Sequence, residues 1–213
     1  MTFYSIEKAS RVEIEIKKSL FIGQAAPVQS EEGALAFIES VQAAHPQATH
    51  HCRAYLIGET GLIQRFHDDG EPSGTAGMPI LETAKQMEVT NVVIVVTRYF
   101  GGIKLGAGGL VRAYRQAARS ALEAGRLTRY VPWKVVDIRI AYESLGKCDY
   151  LLRESPVVER DRVFTDRVAL TWLIPEDRVG WIRTQVMEIS AGQAKFEEKQ
   201  RLMLPEVNPV KRV

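Results

Sequence analysis

The run NVVIVVT, Asn91 to Thr97, most restricts what this chain can be. Val92 to Val96 are all apolar and β-branched. Successive strand residues point to opposite faces, so an unbroken apolar run leaves no face for water. The run is read as a central strand, buried on both sides. Its surroundings must supply the cover. Helical spacing of Leu35, Ile38 and Val41 predicts a helix over 31–44, with Ser30 as its N-cap. A second helix is expected from Met78 to Met87, with Pro79 in its first turn. A third is expected from Ala107 to Ala124, ending at Gly125 as C′ residue. Strands are expected at Arg11–Ile16 and Ser19–Ala26, and a hairpin at 51–58 and 62–67.

After residue 130 the pattern starts afresh. Leu127 to Pro132 reads as a linker, and residues 1–130 and 131–213 as two domains. Val136, Ile138 and Ile140 share one strand face, with Asp137 and Arg139 on the other. A helix through Leu145, Cys148 and Leu152 follows. Strands near 157–164 and 168–174, a helix opened by Pro175, and a last strand over 194–204 complete the order βαββαβ. That is the split βαβ plan of a ferredoxin-like domain. From Pro205 the chain reads as a frayed tail. The fold class is therefore α+β in two domains.

Bulk properties remove some functions. The chain has 213 residues, 46% hydrophobic, with net charge +2, so any affinity for nucleic acid must be local. Two cysteines far apart fit a reducing cytoplasmic setting. No apolar run is long enough to span a membrane, and residues 1–18 are charged and alternating, unlike a signal peptide.

Two stretches carry chemistry. In FHDDGEPSGTAGMPIL, the carboxylates Asp68, Asp69 and Glu71 precede a turn with Ser73 and Thr75. Gly70, Gly74 and Gly77 permit positive φ or close backbone approach there. Amides before the next helix favour an anion, but carboxylates repel one unless a cation intervenes. One reading is a magnesium site on Asp68 and Asp69; another is acid–base work; a third is turn capping and pairing with basic neighbours.

The second stretch is TRYFGGIKLGAGGLVRAYRQAARSAL. Between Val89 and Leu122 there is no acidic residue, but Arg98, Lys104, Arg112, Arg115 and Arg119 are present. Arg112, Arg115 and Arg119 share one helical face, while Leu110, Tyr114, Ala117 and Ala121 face the core. Gly101, Gly102 and Gly106 form a glycine-rich entry to the helix, a generic anion site. Tyr99 and Phe100 are candidates to stack on bases. The alternative is a solvated basic face beside two core aromatics. Neither a P-loop nor a dinucleotide fingerprint is complete: Ala107 and Gly108 follow Gly106, and Val111 replaces the third glycine. His50, His51 and Cys52 have the wrong spacing for a zinc finger, and Cys52 reads as a buried strand cysteine.

DDGEPSGTAGMPIL, NVVIVVTRYFGGIKLGAGGLVRAY and ATHHCRAYLIG together resemble the signature of the YigZ/IMPACT family. The resemblance implies a first domain of the ribosomal protein S five domain 2-like type. It implies a second domain similar to the later, ferredoxin-like domains of elongation factor G. Eukaryotic relatives act in translational control through an additional N-terminal domain not seen here, so that partner is not carried over. For bacterial members it suggests nucleic-acid or ribosome-linked binding without an assigned reaction. His67 and Met78 depart from the family pattern, where a small polar and a basic residue are usual.

The expectation is a non-enzymatic protein that binds RNA or the ribosome through residues 68–77 and 98–109, possessing no membrane partner. Two alternatives stay open: a magnesium-dependent enzyme on a nucleotide or phosphorylated small molecule, and a module docking a translation factor.

Overall fold

The computed structural model describes residues 2–206. It divides into two units, Thr2–Arg129 and Tyr130 onward.

The first unit holds strands β1 (Phe3–Ile6), β2 (Ser10–Ile16), β3 (Ser19–Pro27), β4 (His50–Ile57), β5 (Ile63–His67) and β6 (Val92–Tyr99). Its helices are α1 (Glu31–Ala44), α2 (Gly77–Gln86) and α3 (Ala107–Ala124). One antiparallel sheet runs β2-β3-β6-β4-β5, which puts the apolar run at its centre. β6 feeds two cores. Val92, Ile94 and Val96 pack with the buried faces of α2 and α3, while Val93 and Val95 pack with Ala34, Ile38 and Val41 of α1. A strand in an antiparallel sheet usually wets one face. Here helices cover both, which is why Val92 to Val96 are apolar without a break; the polar Thr97 and Arg98 follow only at the strand's end.

α1 starts where the sequence indicates: Ser30 Oγ accepts from Gly33 N at 3.2 Å. Its buried face differs by one residue. Ala34 is buried and Leu35 is half exposed, because the small residue lets the helix lie close to the sheet. The end of α3 also differs. Gly125 keeps a right-handed φ of −72°, and Arg126 takes the left-handed position at φ 66°. Gly125 is glycine for room: a Cβ there would lie 2.9 Å from Ile6 Cδ1.

The second unit contains β7 (Leu127–Ile140, whose first residues belong to the first unit), α4 (Leu145–Glu154), β8 (Val158–Phe164), β9 (Val168–Pro175), α5 (Val179–Ile189) and β10 (Lys195–Pro205). β10 pairs β7, β7 pairs β9 and β9 pairs β8, all antiparallel, which is the strand order of a ferredoxin-like fold; β1 joins the same five-stranded sheet on β7. Val136, Ile138 and Ile140 pack with Cys148, Leu151, Ile182 and Val186 under the two helices. The expected linker at 127–132 is instead the start of β7. Its alternating pattern continues upstream, and Val131 pairs with Leu204 and Tyr130 with Pro205. Pro205, expected in the tail, thus ends β10; residues 207–213 lie outside the described residues.

No helix among the described residues is long and apolar enough to cross a membrane. Ile94 is fully buried at the centre of the larger core. Ile94→Ala is expected to lower unfolding free energy by about 2–5 kcal/mol, read from urea denaturation.

Candidate functional site

The loop 68–77 is folded around its own carboxylates. Asp68 Oδ1 accepts from Ala76 N at 3.0 Å and Gly77 N at 2.8 Å, and Oδ2 accepts from Gly74 N at 2.9 Å. Ala76, the N-cap of α2, has no side-chain oxygen to offer, so Asp68 caps the helix from a distance. Asp69 Oδ2 accepts from His51 N at 2.7 Å, and its Oδ1 lies 3.7 Å from Arg53 and 3.8 Å from His67. Thr75 Oγ1 donates to Pro72 O at 2.6 Å, while Ser73 is exposed. Gly77 meets a tight demand: a Cβ there would sit 2.7–2.8 Å from the backbone of His67, at the end of β5. Gly70 and Gly74 adopt φ of 85° and 75°.

Glu71 points inward. Its Oε1 accepts from Arg98 NH1 at 2.6 Å and from the Tyr114 hydroxyl at 2.8 Å. Both members of the ion pair are buried, at 8% and 5% exposure. Arg98 also donates to Ser19 Oγ at 3.3 Å, and its guanidinium lies 5.3 Å from the Phe21 ring centre and 5.4 Å from that of Phe100. Arg98 is therefore not a free phosphate contact, as the sequence reading had it. It fastens the acidic loop to β6 and α3.

The histidine–cysteine stretch on β4 closes the loop's other side. His50 Nδ1 donates to Asp69 O at 2.7 Å, and Cys52 Sγ donates to Asp68 O at 2.9 Å. Burial, with the nearby charges of Glu71, Asp69 and Asp68 and against an opposing hydrogen bond from Tyr114, pushes the Cys52 thiol up to about 12. It is no nucleophile at neutral pH. Burial likewise raises Tyr114, so its hydroxyl stays a donor to Glu71. Burial lowers His51, partly opposed by Asp69.

The magnesium expectation on Asp68 and Asp69 meets this geometry poorly. Asp68 has both oxygens on backbone amides, and no three His, Cys, Asp or Glu residues form a metal-holding group among the described residues.

The basic stretch separates into an inner and an outer part. Tyr99 is half-buried, and its hydroxyl is hydrogen-bonded to His45 Nδ1 at 3.0 Å. Arg115 is paired with Glu82, and Arg119 Nε donates to Glu123 at 2.9 Å. Phe100 is 47% exposed, and Lys104 and Arg112 are exposed without an ion pair among the described residues. The first turn of α3 is open too: Gly106 (φ 73°) caps it without a side-chain hydrogen bond, and Ala107 and Gly108 are exposed. Gly102 takes φ 84°. At Gly101 a Cβ would lie 1.8 Å from Lys18 O, so the loop runs directly against the β2–β3 turn. Sequence reading missed that contact, together with the roles of Ser19, His50 and Tyr114. A lysine pair at a hairpin tip 80 residues away carries no local signal of it.

Three outcomes follow from these contacts. Glu71→Ala leaves Arg98 buried and unpaired, and is expected to cost about 3–5 kcal/mol in urea unfolding. The double variant Glu71→Leu with Arg98→Met is expected to lose less than the two single changes summed. Cys52 and Cys148, the latter held up at about 11 chiefly by burial, are expected to resist alkylation at pH 8 in the folded protein and to react on unfolding. Fast labelling of the native protein would contradict that placement.

Two family models match separate parts of the chain. Residues 17–122 match the Impact N-terminal domain, and residues 138–193 match a domain of unknown function, DUF1949. The chain is 36% identical to the IMPACT family member YvyE of Bacillus subtilis, over 99% of this chain and 97% of that one. It is 37% identical to the IMPACT family member YigZ of Escherichia coli, over 85% and 90% respectively. A solved structure described as that of a hypothetical protein superposes with TM-score 0.59 at 32% identity, covering 93% of this chain and 98% of the other. With both domains matched and relatives similar over nearly their whole length, this chain belongs to the IMPACT family.

Proposed function

We propose that this chain is a non-enzymatic binding protein for RNA or the ribosome, with the glycine-rich stretch 100–109 as its contact surface. One observation carries the reading. The open first turn of α3 lies beside the exposed Lys104 and Arg112, neither held by a carboxylate among the described residues. Backbone amides at a helix start, joined by two mobile cations, suit phosphate oxygens. The acidic loop does not oppose this, because Glu71 is paired with Arg98 and Asp68 is satisfied by amides. The same engagement disfavours an enzyme that needs those carboxylates for magnesium or proton transfer. A role in translation regulation is part of this proposal.

The test is RNA binding by the purified full chain over a salt series, with and without magnesium. The logarithm of affinity is expected to fall linearly with the logarithm of salt, with no magnesium requirement. Lys104→Glu is expected to weaken binding about tenfold at low salt and to leave thermal unfolding unchanged. No binding at low salt, or unchanged binding by the variant, overturns the reading.

A further inference from the structure

The outer surface at the end of β6 holds an aromatic ring and a second pair of cations that the phosphate contact does not use. Phe100 is the first residue after β6, and its ring is 47% exposed. It is held in place from beneath. Its backbone N donates to Thr49 Oγ1 at 3.0 Å, and the Arg98 guanidinium lies 5.4 Å from its ring centre. Arg98 is itself fixed by Glu71 and Ser19. A ring fixed this way loses little freedom when a flat partner covers its open side. The cation behind it adds attraction for a π-system of the right polarity.

Next to the ring, the tight packing of Gly101 on Lys18 brings the β2–β3 turn alongside. The tip of that turn is Lys17 and Lys18, both exposed, with left-handed φ of 47° and 64°. Turns of this shape favour glycine and asparagine, so two lysines there are conformationally costly. Neither has an ion-pair partner among the described residues. The nearest acidic residue along β2, Glu15, is also exposed; it pairs across the ladder with Leu20, so it faces this region without neutralising either lysine through a contact.

We infer that Phe100 and the Lys17–Lys18 turn together form a platform for an unpaired nucleotide of a single-stranded RNA, with the base on the ring and its flanking phosphates on the lysines. The inference rests on the binding function proposed above and narrows its ligand to single strands. A duplex keeps its bases stacked inside and offers no free face to a surface ring; an unpaired base offers one. Tyr99, the other aromatic candidate, is not part of the platform, because its hydroxyl and ring edge are engaged by His45. Ile103, 41% exposed, extends the apolar edge.

The experiment uses the full chain and a fluorescently labelled RNA of mixed sequence, alone and annealed to its complement. Wild type is expected to prefer the single strand. Phe100→Leu is expected to weaken single-strand binding by about ten- to a hundredfold, with the salt slope unchanged. Phe100→Trp is expected to restore or exceed wild-type affinity, which separates stacking from any loss of folding. Lys17→Gln with Lys18→Gln is expected to make the salt slope shallower by about 1.4. Salt-dependent binding that survives intact in Phe100→Leu, or equal affinity for duplex and single strand, overturns this inference. The proposed function then stands, and the Phe100–Ile103 edge becomes a surface for a protein. No binding by wild type at low salt overturns both.

Discussion

The buried pair of Arg98 and Glu71 joins the parts of the first unit that carry its signature residues. A charge taken out of water is costly unless an opposite charge and further hydrogen bonds receive it. Glu71 meets that demand by accepting from both Arg98 and Tyr114; Arg98 meets it in part, through NH1 to Glu71 and NH2 to Ser19, while its Nε is buried without a hydrogen-bond partner among the described residues. The loop 68–77, β6, α3 and the start of β3 are therefore mutually dependent. The loop cannot swing out without exposing one unpaired charge and leaving another buried. The second anchor, Asp68 on three amides, ties the same loop to the start of α2. The loop is wedged between these elements, and each of its three carboxylates accepts hydrogen bonds that hold it there.

That anchoring decides what faces solvent. Residues that look equally basic in sequence end up in different places. Arg98 is inside, Arg115 and Arg119 are matched by Glu82 and Glu123, and Lys104 and Arg112 are left outward beside an open helix start. α3 is thus a two-sided element. Its Ala113, Ala117 and Ala121 stripe lets it lie close on the sheet, where its backbone meets Gly23. Its other side presents charge. The close approach of helix to sheet is what positions the glycine-rich turn at the surface rather than over the core.

Much of the fold was legible because it follows from periodicity. The doubly apolar run announced β6, the steps of three and four announced the helices, and the βαββαβ order announced the second unit. The false linker at 127–132 came from reading a composition change as a break, although a proline at 132 on the side of a strand is compatible with pairing. The site was legible only as a set of residue types. Whether Arg98 meets solvent or Glu71 depends on a contact 27 residues away, and the Lys18–Gly101 contact spans more than 80; spacing encodes neither. Helix N-caps are local and were read correctly at Ser30, yet the cap of α2 comes from Asp68, eight to nine residues upstream of the amides it serves.

An acidic loop next to a basic one looked contradictory for an anionic partner. The electrostatics resolve it. Screening in salt limits the reach of an exposed charge to about 8–10 Å, so what matters is which charges remain uncompensated at the surface. Glu71 forms a neutral pair with Arg98, and Asp68 faces the partial positive charge of the α2 start. Asp69 Oδ2 accepts from His51 N, and its Oδ1 lies 3.7 Å from Arg53. Asp68 and Glu71 are thus matched locally, while Lys17, Lys18, Lys104 and Arg112 are exposed, with the exposed Glu15 two positions before Lys17 on β2. Through Glu71 the acidic loop holds Arg98 in place, and the Arg98 guanidinium in turn lies 5.4 Å from the Phe100 ring centre.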